Sequence, residues 1–157
     1  MRVALVGAGY WGKILARNIK KLFDLEIIVE PNQYLWNEDI CDRWANHYKM
    51  VSDVDIIFIA TPSDTHFEIA KYFLEQGKHV WIEKPATTTI EETKELIKIS
   101  EKTNAICFVD HTFLYHPAIK YFIDIDTLIK NDLNIPSSYQ SIRTNVKTPR
   151  NDIDVIF

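Results

Sequence analysis

The chain has 157 residues, of which 46% are hydrophobic and 25% charged, and it carries a net charge of −4. This length supports one domain with a sizeable core, and the mild acidity gives no electrostatic reason to expect nucleic acid or an anionic membrane as partner. No apolar run approaches the roughly 20 residues of a membrane span, no signal-peptide pattern opens the chain, and Cys41 and Cys107 have neither metal-ligand nor disulfide spacing; a reducing cytoplasm is the expected location.

The first element is the apolar strand Arg2-Val3-Ala4-Leu5-Val6, which runs into Gly7-Ala8-Gly9-Tyr10-Trp11-Gly12 and then into a helical pattern carried by Ile14, Leu15, Ile19, Leu22 and Phe23. Three glycines at this spacing form the turn of a dinucleotide-binding strand and helix. Gly7 permits the tight turn, Gly9 lets the backbone approach a pyrophosphate, and Gly12 lets the helix pack against the strand. The phosphates of such a ligand rest on free helix N–H groups. The glycine pattern alone is weakly specific, and its context decides its value. Leu25-Glu26-Ile27-Ile28-Val29 reads as a second strand ending at Glu30, about twenty positions on, where a carboxylate accepts from ribose hydroxyls. Its charge would repel a 2′-phosphate, and Pro31-Asn32-Gln33 brings no cation to hold one, so NAD is preferred to NADP. The competing reading of Glu30 is a surface residue ending an edge strand.

The periodicity predicts a second helix over Tyr34 to Ala45, with Leu35, Ile40 and Trp44 inward and Cys41 on it, and then a short third strand at Lys49-Met50-Val51. Asp55-Ile56-Ile57-Phe58-Ile59-Ala60 is a nearly continuous apolar run, as in a parallel strand covered on both faces. A helix is predicted from Ser63-Asp64, as polar caps, to a stop at Gly77. Lys78-His79-Val80-Trp81-Ile82 is the next strand, Thr89 to Glu101 a helix opened by the capping-box spacing Thr89-Ile90-Glu91-Glu92, and Ala105-Ile106-Cys107-Phe108-Val109 a further strand. Both cysteines read as small apolar residues. The alternation predicts an α/β fold, a doubly wound parallel sheet with helices on both faces. Ligands of such sheets sit beyond the carboxyl ends of the strands. Those ends carry Gly7 to Gly12, Glu30, Thr61-Pro62-Ser63, Glu83-Lys84-Pro85 and Asp110-His111-Thr112.

With these motifs in this order the chain resembles the Gfo/Idh/MocA oxidoreductases, which act on sugars, inositols and related polyols with a nicotinamide cofactor. The resemblance rests on the glycine turn with Trp11, on Ala60-Thr61-Pro62 followed by His66, on Gly77-Lys78-His79-Val80 leading to Glu83-Lys84-Pro85, and on His111-Thr112-Phe113 before Pro117. Gly9-Tyr10-Trp11-Gly12 and Leu114-Tyr115-His116-Pro117-Ala118 look most like the branch acting on nucleotide-linked sugars.

The resemblance implies that Lys84 lies beside nicotinamide and substrate. An ammonium there holds a substrate hydroxyl and stabilises charge developing on its oxygen, while Glu83 orients nearby groups. It further implies a cofactor cleft lined by Gly7, Gly9, Tyr10, Trp11, Gly12, Glu30, Thr61, Pro62, His66, Glu83 and Lys84, and substrate contacts from Lys84, Asp110 and His111. Each has a plainer reading beside it. Lys84 taken alone is a solvated lysine, His66 a locally bonded histidine, Asp110 and His111 a pair that fixes a loop, and Trp11 packing. Pro85 fixes its turn and is a candidate to follow a cis peptide. No metal is expected, and His47, His79 and His116 read as structural.

Two departures from the family pattern stand out. Little separates Val51 from the strand at Asp55, so the third crossover is trimmed. The sequence ends at Phe157, where the family continues into a second domain with a large sheet that helps bind the sugar and supplies an Asp and a His to take the hydroxyl proton. The expectation is therefore a dinucleotide-binding domain over 1–125, then a linker and first strand of the second domain over 126–157, with Ser137 to Val146 as that strand. Such a chain is an oxidoreductase half that needs its other half for turnover. The alternatives are an NAD-binding sensor or subunit without turnover, and a structural relic that forms a homo-oligomer through an unpaired edge strand.

Overall fold

The computed structural model describes residues 1–128, and the chain divides into two compact units, Met1–Thr112 and the part from Phe113 on. In the first unit, strands β1 (Arg2–Val6), β2 (Asp24–Val29), β3 (Trp44–Ala45), β4 (Ile56–Ile59), β5 (His79–Ile82) and β6 (Cys107–Val109) form one parallel sheet in the order β3-β2-β1-β4-β5-β6. Helices α1 (Tyr10–Leu22), α2 (His66–Leu74) and α3 (Ile90–Thr103) are the crossovers. The order reverses between β1 and β4, which makes the crevice at their carboxyl ends the ligand site of a doubly wound sheet. In the second unit, a 3-10 turn (Thr112–Tyr115) precedes α4 (Pro117–Leu128). The strand expected at Ser137 to Val146 lies outside the described residues.

The strands are apolar on both faces, and alternate residues feed two cores. Ala4, Val6, Ile57, Ile59, Val80 and Ile82 pack with Phe73 and Leu74 of α2 and Leu96 of α3. Val3, Leu5, Ile28 and Phe58 pack with Ala16 and Ile19 of α1 on the other face. Leu22, counted with the inward positions of α1 by its spacing, is exposed at the end of the helix.

The segment after β2 departs from its periodicity. The helix predicted over Tyr34 to Ala45 is absent: Gln33–Leu35 is a single 3-10 turn, and Trp44 and Ala45 form β3, paired with Ile28 and Val29. Short polar side chains claim the amides that a helix would need. Asn32 Oδ1 accepts from the Tyr34 N–H at 3.1 Å and Asn37 Oδ1 from the Asp39 N–H at 2.9 Å, and such turns compete with helix. Cys41 is accordingly buried in a turn, its Sγ 3.3 Å from the Arg43 carbonyl oxygen. The strand predicted at Lys49-Met50-Val51 is also absent. Tyr48–Met50 is a 3-10 turn in which His47 Nδ1 accepts from the Lys49 N–H at 3.2 Å.

The remaining crossovers form as their signals dictate, with one change. Ser63–Thr65 is a 3-10 turn, and α2 starts at His66 without a side-chain cap. Gly77, at φ +72°, ends that crossover, where the Lys78 N–H donates to the Phe73 carbonyl at 3.1 Å. In α3 the capping box is complete: Thr89 accepts from the Glu92 N–H while the Glu92 carboxylate accepts from the Thr89 N–H.

Candidate functional site

The candidate site is built at the carboxyl edge of the sheet. Its strand ends are locked by ladder bonds of 2.8–2.9 Å: the Gly7 N–H donates to the Val29 carbonyl, Ala60 to Val6, Glu83 to Ile59 and Asp110 to Ile82. Residues that follow the strands therefore start from rigid anchors.

The three glycines have separate physical reasons. Gly7 sits at φ +101°, and a Cβ there would lie 2.4 Å from the Ala60 carbonyl oxygen. A Cβ on Gly12 would lie 2.0 Å from the Gly7 carbonyl oxygen, so the helix seats on the turn only without a side chain. A Cβ on Gly9 would meet nothing within 4 Å. The fold does not need glycine there, and the space a methyl would take lies open at the start of α1. Helix α1 has no side-chain cap and no acidic residue in its first turn, so its N-terminal amides keep their positive end free for an anion. These residues fit a dinucleotide pyrophosphate.

Glu30 ends β2 beside this turn. Its Oε2 accepts from the Ala8 N–H at 2.9 Å and its Oε1 from the Asn32 N–H at 3.0 Å. A carboxylate has about four acceptor positions, so two remain for hydroxyl donors. Tyr10 is largely exposed and Trp11 partly so. The Trp11 indole N–H donates to the Glu83 carboxylate, which ties the first turn of α1 to the end of β5. Sequence reasoning did not anticipate this link between positions 72 residues apart.

At the β5 end Glu83 Oε2 accepts from the Lys84 N–H at 3.3 Å, and the Lys84-Pro85 peptide is cis. Burial pushes the Glu83 carboxyl above its ordinary range; the Trp11 hydrogen bond opposes this and the negative charge of Asp110 adds to it. Asp110 is itself buried and raised by that burial, against the positive charges of His111 and Lys84. Glu83, Lys84, Asp110 and His111 are thus one electrostatic neighbourhood, with Lys84 and His111 exposed. Such a cluster of two desolvated acids and an ammonium is characteristic of functional sites.

At the β4 end Thr61 is half-buried, its hydroxyl accepting from Thr65 Oγ1 at 2.7 Å, and Pro62 is exposed. His66 is sealed. It is 1% exposed, with Nδ1 2.8 Å from the Pro85 carbonyl oxygen and Nε2 2.9 Å from that of Thr61. Its reach into the cleft is through these two carbonyls.

An apolar groove of about 360 Å³ between α3 and β6 is lined by Leu96, Ile97 and Cys107 and reaches Ala86 and Val109 beside the strand ends. Burial pushes the Cys107 thiol up to about 11, so it offers no thiolate nucleophile near neutrality. Among the described residues no group of three or more His, Cys, Asp or Glu is placed to hold a metal ion, and no helix is long and apolar enough to cross a membrane.

Comparison with known proteins agrees with this fold. UDP-N-acetylglucosamine 3-dehydrogenase of Acidithiobacillus ferrooxidans is 29% identical over 161 residues, covering 99% of this chain and 50% of that protein. Its solved structure superposes with a TM-score of 0.72 at 28% identity, covering 80% of this chain and 41% of that one. The WlbA dehydrogenase of Chromobacterium violaceum, solved in complex with NADH and UDP-GlcNAcA, shares the fold at a TM-score of 0.75 and 21% identity, over 84% of this chain and 41% of that one. The chain thus spans about half the length of the curated relative it matches. The family model described as oxidoreductase family, NAD-binding Rossmann fold, matches residues 1–111, and the chain belongs to that family.

Proposed function

We propose that this chain is the cofactor-binding part of an NAD-dependent dehydrogenase that acts on a hydroxyl-bearing carbon of a sugar, with a nucleotide-linked sugar as the favoured substrate class. The observation that carries the reading is the convergence at one sheet edge of an uncapped α1 behind an open Gly9, the Glu30 carboxylate, and Lys84, whose charge acts on the two desolvated acids Glu83 and Asp110. When bound, the nicotinamide supplies a hydride acceptor or donor.

The chain's residues then divide the work along the dinucleotide. The amides after Gly9 hold the pyrophosphate, and Glu30 accepts from the adenosine ribose. Its charge disfavours a 2′-phosphate, which makes NAD the preferred cofactor over NADP. Tyr10 and Trp11 flank the phosphate end, and Thr61 and Pro62 border the middle of the cleft. Lys84 is the catalytic residue: its ammonium holds the substrate hydroxyl and stabilises negative charge developing on that oxygen. Glu83 orients the Lys84 backbone through its amide and stands beside the nicotinamide position. Asp110 and His111 border the substrate side. Support for the sugar class comes from relatives whose names state UDP-N-acetylglucosamine 3-dehydrogenase and a complex with NADH and UDP-GlcNAcA.

The test is titration of the purified chain with NADH and NADPH, read by energy transfer from its four tryptophans to the bound nicotinamide. Saturable binding with NADH preferred is the expected result. Binding of neither cofactor would refute the assignment, and an NADPH preference would refute the role given to Glu30.

A further inference from the structure

Trp11 is a large side chain that neither core claims. It stands in the first turn of α1, is 43% exposed, and belongs to neither apolar cluster. Among the described residues the indole N–H bond to the Glu83 carboxylate is the one polar contact of this side chain. That bond has a particular course. Helix α1 follows β1, Glu83 follows β5, and β4 lies between those strands in the sheet, so the two strand ends stand roughly 10 Å apart. The bond therefore crosses the carboxyl end of β4, at the crevice where the strand order reverses. A dinucleotide with its pyrophosphate at the start of α1 and its nicotinamide beside Lys84 runs between the same two points. Side chains and ligand claim one path.

We propose that Trp11 is a strap across the crevice, bonded to Glu83 while the cleft is free and swung off it when a dinucleotide takes the path to Lys84. The proposal rests on the cofactor reading given above. With no core packing to hold the ring, rotation about its side-chain torsions releases it at the cost of one hydrogen bond. Release also returns an acceptor to the site, because Glu83 Oε1 carries the Trp11 bond while Oε2 accepts from the Lys84 N–H at 3.3 Å. The strap thus exchanges an internal donor on Glu83 for the ligand that displaces it.

The test uses the full chain labelled with ¹⁵N-tryptophan. Its four tryptophans give four indole N–H signals, and the one lost in Trp11→Phe belongs to Trp11. In the ligand-free chain this signal is expected to titrate with the Glu83 carboxyl, which burial lifts above its ordinary range. Asp110 and Lys84 also act on that carboxyl, and His111 acts on Asp110, so Glu83→Gln is the reference in which the titration disappears. On saturation with NADH the wild-type signal is expected to stop following Glu83. A signal that still titrates in the NADH complex, or that never titrates with Glu83, overturns the strap. A second arm reads the sign of the coupling. Trp11→Phe keeps a ring but no N–H, and is expected to bind NADH about three- to tenfold more tightly, the range of one net hydrogen bond. Equal or weaker binding overturns the strap, since a Trp11 that only lines the cleft would lose contacts on shortening. Failure of both wild type and Trp11→Phe to bind NADH would overturn the cofactor reading, and the strap with it.

Discussion

Alanine at Gly9 and alanine at Gly12 should have opposite consequences, though the two positions lie three residues apart in one motif. At Gly12 the new Cβ would lie 2.0 Å from the Gly7 carbonyl oxygen, so helix and turn must part by about 1 Å to reach even the 3.0 Å limit of real Cβ contacts. The carbonyl cannot yield easily, because Gly7 is held at φ +101° with its N–H bonded to the Val29 carbonyl at 2.8 Å. Overpacking against rigid backbone costs about 3 kcal/mol. The better helix propensity of alanine returns about 1 kcal/mol, leaving a net loss of about 2 kcal/mol and a Tm lower by about 4–8 °C. At Gly9 the backbone lies at φ −64° and ψ −165°, open to alanine, and nothing is within 4 Å. The weaker N-cap and the smaller unfolded-state entropy nearly offset each other, so Tm should stay within about 2 °C. NADH affinity should nevertheless fall about tenfold or more, because the methyl takes space the pyrophosphate uses; 1–3 kcal/mol of overpacking corresponds to that range. Thermal melts and NADH titrations of both variants decide the matter. A Gly9→Ala chain that binds NADH like wild type would refute the placement of the pyrophosphate, and equal Tm losses at both positions would refute the steric argument.

Replacing Glu30 with Ala should weaken NADH binding and narrow its preference over NADPH, since the variant loses both the ribose acceptor and the anchor of the Ala8 and Asn32 amides; unchanged affinity for both cofactors would rule out the ribose role. Thr89→Ala should cost about 1 kcal/mol by opening the capping box of α3, seen as a Tm lower by about 2–4 °C, with NADH affinity unaltered. Glu83→Gln should raise Tm at pH 7. Burial lifts the folded-state pKa of Glu83 above the unfolded value of 4.5, so the folded state binds more protons and loses stability as pH rises through that lifted value. The glutamine escapes this loss, and its advantage should shrink as pH falls toward 4.5; a variant melting at or below wild type at pH 7 would contradict the desolvation of Glu83.

What the sequence made legible follows the range of the interactions involved. The glycine turn, the Gly77 stop and the Thr89 capping box are decided within a few residues by φ, side-chain reach and amide geometry, and each stands where its pattern places it. The apolar runs at Val3 and Ile57 were readable because strands covered on both faces need no partner-specific pattern. The stretch from Tyr34 to Ala45 misled because a helical period in Leu35, Ile40 and Trp44 competes with two facts it does not carry: the Asn32 and Asn37 turns, and the pairing of Trp44 and Ala45 to β2. In the candidate site the strand-end rule selected the neighbourhood, but its wiring stayed hidden. Trp11 meets Glu83 across 72 residues and His66 meets Pro85 across 19, and neither contact leaves a mark on local spacing.

The treatment of helix starts adds a physical argument for where the anion binds. Helices α1 and α3 both follow strands of the same sheet, and both point their first turns toward its carboxyl edge. At α3 the donors are consumed by the protein itself, through Thr89 and Glu92. At α1 they are left without a side-chain cap, with no acid in the first turn and a glycine whose missing Cβ opens space. An uncapped helix start forgoes about 1 kcal/mol of stabilisation available to a Ser, Thr, Asp or Asn at that position. Helix α2 also lacks a side-chain cap but carries Glu68 in its first turn, so only α1 of the three begins with neither cap nor acid, and the phosphates of a dinucleotide are acceptors of the right charge for that end of the helix.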